Sequence, residues 1–313
     1  MLHLPCFPAQ PVLRILMENT APEQNENEIL DRINWLPGHM VKATNEIKKA
    51  IKLVNIVLEV RDARVPLVSG NKSIYECGGD KPYLIIFNKT NLADPVSVKL
   101  WKEWLTEQNE SFIFVNALDN KAVKSIVKRS KEIIRAHRLK NDSMANAIKE
   151  VSMMVLGLPN TGKSTIINKL SNRNATKAAS TPGQTKVKLW VHADKDLKIL
   201  DTPGVMPPIL HKQIHTLWLS AIHAIPDHII TPEFSAAFIV EHLLKTRSKA
   251  FQSFYKLESL DIDLEAAVEH IGKRRGCLIA GGGLDYEYIY KIILTDFRKG
   301  SLGLTSFELP PKN

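Results

Sequence analysis

The chain has 313 residues, of which 44% are hydrophobic and 24% charged, a globular composition with length for one large or two ordinary domains. It contains no apolar run near the ~18 residues of a membrane span. Its three cysteines, Cys6, Cys77 and Cys277, have neither disulfide-framework nor metal-ligand spacing. The net charge of +9 is uneven: residues 121–140 hold eight Lys/Arg against Glu132, and GKRRG at 272–276 is a second basic cluster. Each reads as a solvated face or as a surface for a polyanion, RNA first.

In chain order, residues 1–30 read as a flexible N-terminus. Residues 1–17, MLHLPCFPAQPVLRILM, contain no acid, as in a transit peptide, but Pro5 and Pro8 oppose a long amphipathic helix. Helical spacing then covers 41–52, 95–108, 121–139 and 163–171. Between these segments lie apolar runs with the length and residue types of strands: 54–60, 83–87, 112–115, 151–156, 187–191 and 197–200. The alternation predicts an α/β domain over 31–225, a mainly parallel sheet with helices on both faces. Pro226 and Pro232 punctuate the chain, and the rest predicts a small all-helical domain over 226–313.

Residues 157–164, GLPNTGKS, fit the eight-residue phosphate-loop pattern, with an apolar strand before and a helix after. Glycine lets successive N–H groups curl toward phosphate, and the helix N-terminus adds free donors and a favourable dipole. The pattern makes Asn160, Thr161, Gly162, Lys163, Ser164 and Thr165 nucleotide-binding candidates. Lys163 would reach the β- and γ-phosphates, and Ser164 would ligate Mg²⁺. Some forty residues on, Asp201-Thr202-Pro203-Gly204 follows an apolar strand. Asp201 suits a contact to Mg²⁺ through water, and Gly204 a backbone N–H to the γ-phosphate. Without a phosphate loop before it, the same string would read as an ordinary turn. Between them, Ser180–Lys186 offers Thr181 and Thr185 as switch threonines that could reach Mg²⁺.

Asn88-Lys89 ends another strand and opens the string NKTN. An Asn-Lys-x-Asp loop reads guanine, the Asp accepting from the ring N–H and the exocyclic amine. Here position 91 is Asn, and Asp94 has the wrong spacing. The base-reading string also precedes the phosphate loop, the reverse of the usual order.

That order, with INWLPGHMVK at 33–42, EVRDARVP at 59–66 and RGCLIAGGGLDYEYIYKIILTDFRKGSLG at 275–303, resembles the circularly permuted ribosome-assembly GTPases of the YlqF/RbgA type. Within that family it is most similar to the mitochondrial branch. The resemblance covers about 33–305. It implies GTP hydrolysis to GDP and phosphate, Mg²⁺ as cofactor with K⁺ supporting hydrolysis, and Asn160 as the residue linked to K⁺. It favours Thr185, in Pro182-Gly183-Gln184-Thr185, as the switch threonine and Mg²⁺ ligand. Val205 cannot orient water, and the resemblance offers His39 for that catalytic task. A structural loop histidine is the competing reading. Asn116 and Ala117 match the last base-contacting loop. The implied partners are the large ribosomal subunit and its rRNA, the implied place is the mitochondrial matrix or the matrix side of the inner membrane, held peripherally, and the implied state is a monomer.

Asn91 departs from the pattern. An Asn offers one acceptor and one donor where Asp offers two acceptors. One mismatched contact in a mostly buried site costs ~1–3 kcal/mol, or about ten- to a hundredfold in affinity. Weakened but retained GTP binding is the expectation, and a base with a carbonyl in place of guanine's amine, such as xanthine, would suit Asn better. Two alternatives stay open: a P-loop NTPase of relaxed base specificity, and an RNA-binding assembly factor with a vestigial nucleotide site.

Overall fold

The computed structural model describes residues 47–71, 79–141, 150–171, 189–194, 196–202 and 213–311. Among these the chain divides into two compact units, one drawn from Trp35–Leu210 with Thr305–Asn313, the other from His211–Leu304.

The first unit is an α/β sheet. Its strands are β1 (Ile56–Asp62), β2 (Tyr83–Asn88), β3 (Phe112–Phe114), β4 (Val151–Gly157), β5 (Leu189–Asp194) and β6 (Leu197–Asp201), in spatial order β3-β2-β1-β4-β6-β5. Pairing is parallel throughout except β5, which runs antiparallel to β6 at one edge. Packed with them are the helices α1 (Pro95–Glu107), α2 (Asn120–Asn141) and α3 (Lys163–Leu170).

Successive side chains on a strand point to opposite faces, so each strand serves two cores. Leu58, Ile86, Val155 and Ile199 face one side, where Val123, Ile126 and Ile134 of α2 and Ile166 and Ile167 of α3 close over them. Val57, Met154 and Leu200 face the other and are covered by Ile47 and Ile51 of a helical turn. On that side Trp101 and Leu105 of α1 pack with Ile85 and Phe87. Burial on both faces is why the strands read as near-continuous apolar runs.

β1 departs from its predicted span by running on through Arg61 and Asp62, both buried. Charges normally end a buried strand because desolvating them is costly. Here Arg61 pairs with Glu59 at 2.6 Å, and Arg64 binds both oxygens of Asp62, at 2.9 and 2.8 Å. Register sets Asp62 beside Asn88 of β2 and Val60 beside Gly157 of β4. The C-terminal ends of the central strands therefore lie together, where open α/β sheets hold their ligands.

The second unit is helical: α4 (Gln213–Ala221), α5 (Pro232–Lys245), α6 (Lys249–Tyr255), α7 (Leu264–Arg275) and α8 (Tyr286–Arg298). Helix α5 is its centre, with Ala236–Val240 fully enclosed and α4, α7 and α8 packed on it. Helix α4 lies before the boundary at 225/226 expected from the sequence. It joins this unit through a 2.5 Å contact between the Ser220 and Ser235 hydroxyls, and through Arg298, which donates to the carbonyls of Ser220 and Ala221. The expected second domain also ran to 313, whereas the described residues from Thr305 to Pro311 group with the sheet unit.

Candidate nucleotide site

The phosphate loop connects β4 to α3 without spare residues. Gly157 approaches the β1 backbone so closely that a Cβ there would lie 2.2 Å from Val60 O. Asn160 takes the left-handed conformation, at φ 58°, which Asn tolerates better than most side chains. Gly162 caps α3 at φ +100°, and a Cβ there would lie 2.1 Å from Asn88 Nδ2. Ser164 and Thr165 occupy the first turn of α3, half-buried, beside the N-terminal amides that suit an anion.

That close approach to Asn88 assembles the site. Asn88 Nδ2 donates to Thr161 O in the phosphate loop at 2.8 Å, and its Oδ1 accepts from Ala117 N at 2.9 Å. One buried carboxamide therefore joins the Asn-Lys loop, the Asn116–Ala117 loop and the phosphate loop. Backbone bonds add to it: Thr90 N donates to Val115 O, and Val115 N to Phe87 O. Asn116 shapes its own loop by accepting from Leu118 N at 3.0 Å.

Lys89 is also left-handed, at φ 62°, and its ammonium lies 3.1 Å from Asp62 Oδ2. Burial pushes the Asp62 carboxyl up, but the charges of Arg64 and Lys89 and the hydrogen bonds from Arg64 outweigh it and hold the group well below the usual carboxylate range. Asp62 is thus a buried anion that anchors Lys89. It had no assigned role in the sequence beyond the family string. The only local signal was an alternation of charges at the end of an apolar strand.

Asn91 is exposed on the turn after Lys89. Asp94, the nearest carboxylate in sequence, caps α1 by accepting from Val96 N and Ser97 N, at 3.4 and 2.9 Å. It is committed to the helix start, so Asp94 does not stand in for an acid at position 91.

Lys163 is buried, and its Nζ donates to Leu158 O at 2.7 Å. Burial lowers its pKa to about 8, with Asp201 pulling it back up and Lys89 pushing it further down. Burial likewise raises the Asp201 carboxyl, against the pull of Lys163 and a backbone hydrogen bond at Thr202. Asp201 Oδ1 is buried and has no hydrogen-bond partner among the described residues. A buried carboxylate oxygen with no partner among the described residues, interacting electrostatically with Lys163, fits a hydrated cation. Mg²⁺ characteristically takes one or two protein oxygens and completes its shell with phosphate and water. Ser164 and Asp201 would supply those oxygens. No cluster of three or more His, Cys, Asp or Glu suited to a metal occurs among the described residues. His39, Thr181, Thr185, Gly204 and Val205 lie outside the described residues.

A phosphate loop, an acid at a strand end and an Asn-Lys loop, assembled on a mainly parallel sheet with the Asn-Lys segment first in the chain, define a circularly permuted P-loop GTPase. The family described as 50S ribosome-binding GTPase matches residues 152–255. Ribosome biogenesis GTPase A of Bacillus licheniformis is 34% identical over 278 residues, covering 89% of this chain and 98% of that protein. Mitochondrial ribosome-associated GTPase 1 of Xenopus tropicalis is 28% identical, covering 88% and 94%. The crystal structure of GNP-bound YlqF from T. maritima overlays with a TM-score of 0.60 at 27% identity, covering 87% of this chain and all of that one. The chain belongs to the ribosome biogenesis GTPase A family.

Two expectations follow. Asn88→Ala leaves Thr161 O and Ala117 N without their side-chain partner, and the two buried groups together cost about 2–4 kcal/mol. Denaturant unfolding should show that loss along with weakened nucleotide binding. Lys163, with a pKa of about 8 in the free protein, gains a phosphate partner on binding, and its bound pKa rises. Binding above pH 8 therefore takes up a proton. Affinity should be flat below that pH and fall roughly tenfold per unit above it while the bound lysine stays charged. Calorimetry in two buffers of different ionisation enthalpy reads the proton directly.

Proposed function

We propose that this GTPase acts in assembly of the large ribosomal subunit, in the mitochondrion, gripping rRNA while it hydrolyses GTP. The Asn88 junction carries the nucleotide reading, because it brings a base-reading loop to a phosphate loop that follows it by some seventy residues. In this reading Lys163 steadies the β- and γ-phosphates and Ser164 with Asp201 holds Mg²⁺. Asn160 supports K⁺, and Asn88, Lys89, Asn91, Asn116 and Ala117 surround the base. Thr185 and Gly204 would answer to the γ-phosphate, and His39 would orient the attacking water. The chemistry is positioning plus charge stabilisation, with a water molecule displacing GDP.

The basic surface of α2 supports the RNA part. Lys121, Lys124, Lys128, Arg129, Lys131, Arg135 and Lys140 are exposed, while Val123, Ile126 and Ile134 turn inward. Glu132 is the single acid among them, 3.2 Å from Arg129. The compartment rests on the mitochondrial relatives and the acid-free residues 1–17. No helix among the described residues is long and apolar enough to cross a membrane, and the proposed association with the inner membrane is peripheral. We take the protein as a monomer.

A second reading, relaxed base specificity, is favoured by exposed Asn91 and by the commitment of Asp94 to its cap. Competition of GTP, XTP and ATP for one labelled nucleotide separates the two. GTP should win over ATP, with XTP close behind or ahead. ATP equal to GTP would sink the guanine reading. Hydrolysis should rise with purified large subunits and be faster in K⁺ than in Na⁺, and Lys163→Ala should abolish it. Reversing Lys124, Lys128 and Arg135 to Glu should weaken rRNA binding and flatten its salt dependence, by a slope of roughly one for each phosphate no longer neutralised. Unchanged binding would remove α2 from the interface.

A further inference from the structure

After Leu304 the chain returns to the sheet unit and lies along two loops, those following β1 and β2. Thr305 N donates to Leu92 O at 3.0 Å, and Asp94 N donates to Ser306 Oγ at 3.1 Å. Phe307 N donates to Arg64 O at 2.9 Å. Glu308 Oε2 accepts from Leu67 N at 2.7 Å and Val68 N at 3.2 Å. Glu308 O accepts from Trp101 Nε1 at 3.0 Å and from Ser97 Oγ at 3.3 Å.

These partners are not scattered. Leu92 and Asp94 are where the base-reading loop leaves for α1. Arg64 is the residue that grips Asp62, and Asp62 in turn grips Lys89. The segment thus braces the exit of the base-reading loop on one side and the support of Lys89 on the other. Asn88 fixes the entrance of the same loop.

Glu308 docks through polar bonds. Leu309, the next residue, is 65% exposed, whereas Glu308 is 8% exposed. Burial pushes its carboxyl up to about 7, although the two N–H donors and Arg61 pull the other way. Burying a carboxylate to dock a segment of chain is costly. Its return here is directional: one oxygen takes two adjacent backbone donors and so fixes the loop that holds Arg64.

We propose that residues 305–308 are a clasp that positions the base-reading loop, so that recognition of the base depends on a segment more than 200 residues further along the chain. Glu308 is its positioning residue. The proposal rests on the reading of Asn88–Asn91 as the base reader. It goes further in making base selectivity a property of a segment remote in sequence from the loop.

The test compares the full chain with Glu308→Ala, Glu308→Gln and a chain ending at Leu304. GTP, ATP and inorganic tripolyphosphate, which probes the phosphate loop alone, serve as ligands. Glu308→Ala and the truncation should weaken GTP binding roughly tenfold and shrink the GTP-over-ATP ratio, while tripolyphosphate binds unchanged. Glu308→Gln keeps the acceptor oxygen and should restore most of the ratio. Hydrogen exchange at the Leu67, Val68 and Asp94 amides should rise in Glu308→Ala and in the truncated chain and not in Glu308→Gln. Equal weakening of GTP and tripolyphosphate would reduce the segment to a general stabiliser. So would faster exchange with an unchanged ratio, and either outcome overturns the clasp. If the unaltered chain fails to prefer GTP over ATP, the base-reader assignment falls first and the clasp with it, an outcome visible before any variant is compared.

Discussion

The Asn88 carboxamide has a donor end and an acceptor end, and both are used on the backbones of other loops. The donor holds Thr161 O in the phosphate loop and the acceptor holds Ala117 N in the loop after β3. A buried amide that served only one of these would leave a costly unsatisfied group, so the three loops are joined or the site pays for their separation. Gly162 follows from the same constraint, since any side chain there would occupy the space of Asn88 Nδ2. The geometry that phosphate binding demands of the glycine and the geometry that the junction demands are compatible in one residue.

Around this junction the protein buries charge where a globular core ordinarily excludes it. Glu59, Arg61, Asp62 and Arg64 are all enclosed. Each has a partner within the same short stretch, and Asp62 reaches further to Lys89. Such groups add little net stability compared with apolar residues of similar size, and breaking one pair is expensive. What they supply here is direction: the β1 loop and the Asn88–Lys89 loop are held at fixed points. The pairs also give a physical task to the Asp-Ala-Arg string, whose sequence showed only that it recurs in a family.

The reversed order of the motifs becomes simple once the sheet is drawn. Hydrogen-bonded register sets Asp62 beside Asn88 and Val60 beside Gly157, whatever order the chain visits them. The same indifference to order lets residues 305–308 finish on the loops after β1 and β2, after the chain has passed through a separate helical unit.

The local devices were legible from residues alone. Apolar runs marked the strands, because strands buried on both faces need continuous hydrophobic stretches. The phosphate loop was readable because glycine, lysine and serine must stand at close, constant spacing to wrap a phosphate. The exhaustion of Asp94 as a replacement acid was half-legible, since its spacing was wrong but its capping role needed coordinates. Tertiary structure alone decided the rest. Asn88 bonds to residues 73 and 29 positions away, and Glu308 to residues more than 200 away. Neither leaves a periodic trace, because an isolated polar residue in an irregular segment looks the same in sequence whether water or a distant backbone satisfies it. The sequence by itself determined the strands, the phosphate-binding chemistry and the family. Only the folded chain decided which carboxamide joins the loops, which carboxylate anchors Lys89, and that the C-terminal end closes back on the β1 and β2 loops, because those are choices among partners that only packing brings within reach.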